Sequence, residues 1–159
     1  MTRDAARSAS PALTLDAIDR RLVEALTAEG RLPVAALAER IGLSKSPTLV
    51  RMRRLEREGV ILGYRALVDP ARVGMEHVAF VEVKLDDTRE PALTAFNAAV
   101  RAVREVESCH MIAGAFDYLL KVRTRDIRAY RRALAERIST LPHVAATATH
   151  VAMESVKEP

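Results

Sequence analysis

Hydrophobic positions in the first half of the chain recur at helical spacing in three consecutive stretches. The apolar residues of these stretches are Leu15, Ile18, Leu22 and Leu26, then Val34, Leu37, Ala38 and Ile41, then Leu49, Met52 and Leu55. Spacings of three and four residues place side chains on one face of a helix. The pattern therefore predicts three short amphipathic helices that share a core.

Glycine, serine and proline mark the ends of the second and third helices. Gly42 follows the second helix, where glycine adopts a left-handed conformation without steric cost. Ser44 is the predicted N-cap of the third helix, and Pro47 falls in its first turn, where the missing N–H has no intrahelical partner. Gly59 is predicted to end that helix. The arrangement predicts a helix-turn-helix whose second helix is the recognition helix.

The polar face of the third helix is cationic and begins with small residues. Arg51, Arg54 and Arg57 are predicted to lie opposite its apolar arc, and arginine can form paired hydrogen bonds with phosphate or with guanine. A solvated face is the alternative for an isolated arginine-rich helix, but the three-helix context favours DNA binding. The predicted DNA-binding residues are Ser44, Lys45, Ser46, Pro47, Thr48, Val50, Arg51 and Arg54. Arg51 and Arg54 are the principal candidates.

The segment after Gly59 is rich in β-branched and aromatic residues. Its sequence, VILGYRALVD, predicts a short hairpin or wing around Gly63. We divide the chain into a flexible tail (1–13), a helix-turn-helix domain (14–63), a linking strand or hinge (64–75) and a C-terminal domain (76–159).

Strands and helices alternate from about residue 76 onward. Alternating apolar positions predict strands near 79–85, 106–113, 118–124 and 144–156, and helical spacing predicts helices near 93–103 and after the N-cap Asp126. The order βαββαβ is that of the ferredoxin-like fold, an antiparallel sheet with both helices on one face. The fold class is therefore α+β, a winged helix-turn-helix followed by a ferredoxin-like domain. The uncovered face of the sheet predicts a homodimer.

Composition and charge are those of an ordinary cytosolic protein that meets a polyanion. The chain has 159 residues, 49% of them hydrophobic, and a single cysteine, Cys109, so an intrachain disulfide is impossible and a reducing cytoplasm is expected. Residues 1–75 hold 13 Lys and Arg against 9 Asp and Glu, whereas residues 76–159 hold 12 of each. The excess in the first half favours attraction to nucleic acid. Residues 1–13 lack the apolar run of a signal peptide, and no segment has the length of a membrane span.

Catalytic chemistry finds little support in the sequence. The four histidines are scattered, and Cys109 and His110 are neighbours on a strand whose side chains should point to opposite faces, so neither a zinc site nor a thiol dyad is predicted. No glycine-rich phosphate loop or nucleophile elbow is present. We predict no catalytic residue, metal or cofactor. A small ferredoxin-like hydrolase using Asn97 is the remote enzymatic alternative.

One turn in the second half, GAFDY at residues 114–118, has two interpretations. In the first, the glycine makes the turn, Asp117 caps it and the aromatic side chains enter the core. In the second, exposed backbone groups beside a carboxylate hold the carboxylate and ammonium of a free amino acid. The residues alone leave both interpretations open.

Four ordered segments resemble the Lrp/AsnC family of feast/famine regulators. They are LDAIDRRLVEALTAEGR, LAERIGLSKSPTLVRMRRLEREGVILGY, ESCHMIAGAFDYLLKVRT and THVAMESVKE, and together they cover nearly the full chain. The resemblance implies an N-terminal helix-turn-helix, a linking strand and a ferredoxin-like domain that dimerises and assembles into tetramers or octamers. It also implies a transcriptional regulator of amino-acid metabolism genes that binds double-stranded DNA and a free amino acid.

The resemblance places the effector between dimers, near two segments of this chain. The implied effector-binding residues are Gly114, Ala115, Phe116, Asp117, Thr149, His150, Val151 and Ala152. Ala115 stands where relatives often carry an acidic or polar residue, and His150 where they often carry an aromatic one. Similarity to the leucine-responsive and proline-utilisation branches makes leucine and proline the first effectors to test. An effector-insensitive DNA-organising protein is the alternative function.

Overall fold

The computed structural model describes residues 14–158, which divide into two compact units between Leu67 and Val68. The tail predicted at residues 1–13 lies outside the described residues. Each unit has a hydrophobic core of its own, one among the N-terminal helices and one beneath the C-terminal sheet. No helix in residues 14–158 is both long enough and apolar enough to cross a membrane.

The first unit is built from the three predicted helices. They are α1 (Ala17–Ala28), α2 (Val34–Ile41) and α3 (Lys45–Arg57). Their shared core contains the fully buried side chains of Leu22, Leu37 and Leu55, each of which lies at a predicted apolar position. The hydrophobic periodicity thus predicted the three helices and the packed faces of α1 and α2.

The predicted helix ends are confirmed. Gly42 caps α2 with φ of 76°, and Gly59 follows α3 with φ of 72°, so both adopt the left-handed conformation that glycine tolerates. Ser44 is the N-cap of α3, although its side chain makes no capping hydrogen bond. Helix α1 begins with a capping box in which Asp16 and Asp19 each accept a hydrogen bond from the other's backbone N–H.

The hairpin or wing predicted around Gly63 is not formed, and neither is the linking strand. Residues 62–69 have no regular secondary structure, and the only element between the end of α3 and residue 77 is a 3₁₀ turn, Ala71–Val73. Strand propensity is not sufficient here, because a strand needs a neighbour to accept its backbone hydrogen bonds. Within residues 14–158 no segment pairs with this one.

The second unit has the predicted βαββαβ order. Its elements are β1 (His77–Leu85), α4 (Glu90–Val100), β2 (Val106–Met111), β3 (Tyr118–Thr124), α5 (Ile127–Ala133) with a π-helical turn (Leu134–Ile138), and β4 (Val144–Val151). The strands form one antiparallel sheet in the order β2-β3-β1-β4. This is the ferredoxin-like arrangement that the pattern predicts.

The two faces of the sheet differ in what covers them. On one face, Val81 and Val83 are fully buried against α4 and α5, whose Phe96 and Tyr130 belong to the same core. On the opposite face, the neighbouring Phe80 is 38% exposed. The alternation along β1 follows directly from the two-residue period of a strand.

Candidate nucleic-acid interface and effector-binding turn

The N-terminal half of α3 presents a small, basic surface to solvent. Most of the predicted DNA-binding residues there are exposed, and the Val50 side chain is 68% exposed, unusual for an aliphatic residue on a helix with an apolar face. The exposed members of the predicted set are Ser44, Lys45, Ser46, Pro47 and Val50. A helix N-terminus free of bulky side chains can approach the floor of a major groove.

Thr48 does not belong to this surface, and its assignment as a DNA-binding residue is wrong. Its side chain is fully buried, and its hydroxyl donates to the carbonyl of Ser44 at 2.9 Å. The inward face of α3 therefore runs through the buried Thr48 and Leu55 and the partly buried Met52, rather than through the predicted arc of Leu49, Met52 and Leu55. The exposed face is rotated accordingly.

The two principal arginines are also not directed freely into solvent. Arg51 Nη1 lies 2.6 Å from Asp16 Oδ2 and 2.7 Å from Asp19 Oδ1, and Arg54 Nη2 donates to the other oxygen of Asp19. The Asp19 side chain is 1% exposed, whereas those of Arg51 and Arg54 are 27% and 36% exposed. Both guanidinium groups are thus tied to the start of α1.

This ion-pair cluster has an electrostatic signature at its exposed end. A hydrogen bond from the Asp19 backbone N–H, followed by one from Arg51, lowers the pKa of the Asp16 carboxyl. Hydrogen bonds to Asp16 and Asp19 raise the pKa of Arg51. The cluster therefore holds its charged form and fixes α3 against α1.

Two residues of this region were missed by the sequence reasoning. Asp19 interrupts an apolar stripe that contains Leu15, Leu22 and Leu26, and a carboxylate on a buried stripe is a signal that it has a basic partner. Arg53, by contrast, is exposed on the rotated outer face of α3, close in helical angle to Ser46 and Val50. It is the arginine that the structure leaves most accessible in the middle of this helix.

At the turn of the second unit, Asp117 has a structural partner. Its carboxylate accepts hydrogen bonds from the Leu85 backbone N–H at 2.8 Å and from Lys84 Nζ at 3.2 Å, and its side chain is 16% exposed. The Asp117 carboxylate therefore anchors the turn to the end of β1. A carboxylate with these partners is less available to bind an ammonium group.

Gly114 is not required by the backbone of the turn. Its φ lies outside the left-handed region, and a Cβ built on it would meet nothing closer than Ile112 Cγ2 at 3.7 Å, an ordinary contact. Gly114 and Ala115 are both exposed. The backbone of the turn therefore tolerates other residues at this position.

The second predicted effector segment, residues 149–152, lies far from this turn within one chain. The Ala152 N–H donates to the Val78 carbonyl at the start of β1, whereas the Asp117 N–H donates to the Val83 carbonyl near its end. Five residue steps separate those carbonyls, which is roughly 17 Å of strand. One protomer therefore does not join the two segments into one pocket.

The individual residues of that segment also have partners of their own. Thr149 Oγ1 lies 2.5 Å from the Tyr130 hydroxyl, and His150 Nε2 lies 3.0 Å from Glu82 Oε1. Val151 is 51% exposed. A hydrogen bond between Thr149 and α5 fixes the edge strand to the helical layer, so its role in this protomer is structural.

Cys109 and His110 do not form a dyad with each other. Cys109 pairs in register with the buried Leu120, and His110 with Leu119, so the two side chains lie on opposite faces as predicted. Burial raises the pKa of the Cys109 thiol to about 11. In the part of the chain that the structure describes, no three His, Cys, Asp or Glu residues cluster as metal ligands.

Comparison with known proteins agrees with both units. Residues 15–61 match the model of a winged helix-turn-helix DNA-binding domain, and residues 78–159 match that of the Lrp/AsnC ligand binding domain. The chain is 60% identical over 144 residues to the proline dehydrogenase transcriptional activator of Rhizobium radiobacter, covering 91% of this chain and 92% of that one. It is 44% identical to the leucine-responsive regulatory protein of Salmonella typhimurium, and that match covers 93% of this chain and 90% of the other.

A solved structure extends the likeness to three dimensions. A transcriptional regulator of Neisseria meningitidis, crystallised with L-Met, superposes with a TM-score of 0.82 at 32% identity, covering 91% of this chain and 94% of that one. One conclusion follows from the three-helix unit, the ferredoxin-like sheet and these matches over more than nine tenths of the chain. This chain belongs to the Lrp/AsnC family of DNA-binding transcriptional regulators.

Proposed function

We propose that this regulator controls a gene of proline oxidation in response to a free amino acid, with proline as the first candidate. The observation that carries the proposal is the graded similarity. Identity is 60% to a proline dehydrogenase activator and 44% to a leucine-responsive regulator, over nearly equal lengths. The inducer of a catabolic gene is commonly the substrate of the enzyme that the gene encodes.

We propose that DNA is read by the exposed surface of α3. This surface contains Lys45, Ser46, Val50 and Arg53, whereas Arg51 and Arg54 hold the helix in position through Asp19. An arginine on the outer face can form paired hydrogen bonds with a guanine edge. An apolar side chain such as Val50 can contact a thymine methyl group.

We propose that the effector binds at the turn of residues 114–117, mainly through backbone groups. The described residues provide no backbone hydrogen-bond acceptor for the N–H groups of Gly114 and Ala115, which are free for a carboxylate. A hollow of about 350 Å³ lies between α4 and β2 and is lined by Met111 and Tyr118, on either side of the turn, and by Asn97 and Cys109 among others, although not by residues 114–117 themselves. Its size suits an amino acid.

We propose further that the protein is a homodimer, and that dimers associate to complete the effector site. In one chain the turn lies beside the end of β1, whereas residues 149–152 lie along its other side and extend toward its start, so we propose that a site using both is completed by a second copy. The half-exposed Phe80 lies on the sheet face that no helix covers. Burial of that face against a second sheet is the simplest way to remove it from water.

Isothermal titration with each of the twenty amino acids tests the effector proposal. We expect proline to bind and to change affinity for a DNA operator, because a ligand can shift an equilibrium only through differential affinity. Ala115→Asp should alter this ligand response more than DNA affinity without ligand. Ala102→Asp, at another exposed alanine, is the matched control.

Two outcomes would contradict the effector proposal. One is the absence of binding heat for all amino acids. The other is binding that leaves both operator affinity and oligomer size unchanged. Either result would leave residues 114–117 as a structural turn and favour the DNA-organising alternative.

A further inference from the structure

Helix α5 carries a concentrated positive surface in a unit whose total charge is balanced. Four arginines and one aspartate lie within residues 125–132, although residues 76–159 together hold equal numbers of basic and acidic residues. We define the α5 arginine surface as Arg125, Arg128, Arg131 and Arg132. All four are exposed.

The arrangement of the helix forces these side chains together on its outer side. Tyr130 and Ala133 are buried against the sheet, so positions 128, 131 and 132 fall on the opposite face, within about 100° of one another. Residues three or four apart on a helix are neighbours, and like charges at that spacing destabilise it. The surface therefore carries an electrostatic cost in the free protein.

In the described part of the chain these arginines form no close ion pair, although Arg125 and Arg128 add to the hydrogen bond from the Ala129 N–H in lowering the pKa of the Asp126 carboxyl. Among residues 14–158, none of the four has a carboxylate oxygen within 4.0 Å. Asp126 is engaged as the N-cap, accepting from the Ala129 N–H at 2.7 Å. One turn further on, Arg137 Nη1 donates to both oxygens of Glu105 at 2.8 Å. Arg137 is thus an ion-paired arginine on the same helical layer, with which the four can be compared.

The helix dipole explains only part of this pattern. Arg131 and Arg132 lie in the last turn of α5, where a positive charge is favourable. Arg128 lies in the first turn and Arg125 just before it, where the positive end of the helix disfavours a cation. An external anion would remove both this repulsion and that between neighbouring arginines.

We propose that the α5 arginine surface binds the phosphate backbone of duplex DNA outside the sequence read by α3. The established partner of this protein is a polyanion with one charge for about every 1.7 Å of its axis. The four arginines extend over roughly 10 Å of helix, which matches several phosphates. The contact would be independent of base sequence and would add affinity for long DNA.

The test compares two lengths of one DNA sequence with the full-length protein. A duplex selected by the protein from random DNA is prepared as the bare recognised sequence and with 30 additional base pairs on each side. The variant is Arg128→Gln, Arg131→Gln and Arg132→Gln in combination. The control combines Arg72→Gln, Arg89→Gln and Arg104→Gln, which removes the same charge from exposed arginines elsewhere in the second unit.

We expect the α5 variant to lose affinity for the long duplex by about tenfold or more. The slope of its log binding constant against log salt concentration should become shallower by up to about three, one for each arginine removed. Its affinity for the short duplex, and the behaviour of the control, should match the wild type. The inference is overturned if both variants behave alike on both duplexes. It is also overturned if the α5 variant loses affinity equally for both duplexes and its oligomer size changes. That result would show that the α5 arginine surface acts in assembly of the oligomer.

Discussion

Asp19, near the start of α1, binds Arg51, in the middle of α3, with the guanidinium Nη1 2.7 Å from the carboxylate Oδ1. The aspartate is almost completely buried, and its second oxygen accepts from Arg54. One carboxylate thus joins α1, which starts the unit, to α3, the helix proposed to read DNA. Its removal leaves Arg54 without its carboxylate partner and leaves Arg51 paired only with the more exposed Asp16.

Asp19→Asn should destabilise the first unit. Breaking a buried ion pair costs about 3–5 kcal/mol, and because the arginines are partly exposed we expect a loss of about 2–3 kcal/mol in the free energy of unfolding. Urea unfolding followed by circular dichroism measures it. Glu24→Gln, on the exposed side of the same helix, is the matched control, and equal stability of the two variants would contradict the proposed role of Asp19.

Substitutions of Arg53 and Arg54 should have separate effects, one on DNA binding and the other on stability. Arg53→Ala should weaken binding to the selected operator by about 1–3 kcal/mol without changing stability, because its side chain is exposed and has no ion-pair partner among residues 14–158. Arg54→Ala should lower stability, because it removes a partner of the buried Asp19. Operator titration and urea unfolding of both variants test this division. Unchanged affinity and salt dependence for Arg53→Ala would remove it from the DNA interface.

The thiol of Cys109 should react slowly in the folded protein. Burial raises its pKa from 9.0 to about 11, so at pH 8 the folded protein contains about a hundredfold less thiolate than the unfolded chain. Iodoacetamide labelling at pH 8, with and without guanidinium, measures the ratio of rates. Equal rates would show that the thiol is not desolvated.

The same thiol gives a stability trend at alkaline pH. Between pH 9 and about pH 11 the unfolded chain loses the thiol proton while the folded protein retains it. Ionisation therefore favours the unfolded state, and the stability contributed at this position falls as pH rises through that window. Cys109→Ser should flatten this part of the stability profile, as measured by urea unfolding at pH 8 and pH 10.

Phe80 should be central to association through the sheet. Phe80→Asp places a charge on the uncovered face and should convert a dimer into monomers at micromolar concentration, since a carboxylate cannot be buried there without a partner. Ile127→Asp makes the same kind of apolar-to-acidic change at a half-exposed residue of α5, on the helical side of the sheet. It should leave the mass of the oligomer unchanged. Light scattering of both full-length variants gives the masses. A Phe80→Asp protein of wild-type mass would place the dimer interface elsewhere.

Local sequence signals determined the secondary structure and the order of the fold. The left-handed residues Gly42 and Gly59 end helices at the predicted positions, and Asp126 begins one. The alternation of residues 79–85 predicted which side of β1 is buried. These features depend on backbone sterics and on a residue's immediate neighbours, so they are visible in a linear pattern.

Only the tertiary structure decided what the polar residues do. Thr48 and Arg51 lie on a helix whose orientation is set by α1, and a rotation of the buried stripe by less than a third of a turn removed both from free solvent. Asp117 is occupied because β1 brings the Leu85 N–H to it. Residues 62–69 remain without a strand because pairing needs a second segment in reach. Such contacts join residues about 30 positions or more apart, and neither periodicity nor propensity carries information on which distant partner a charged or polar group will meet.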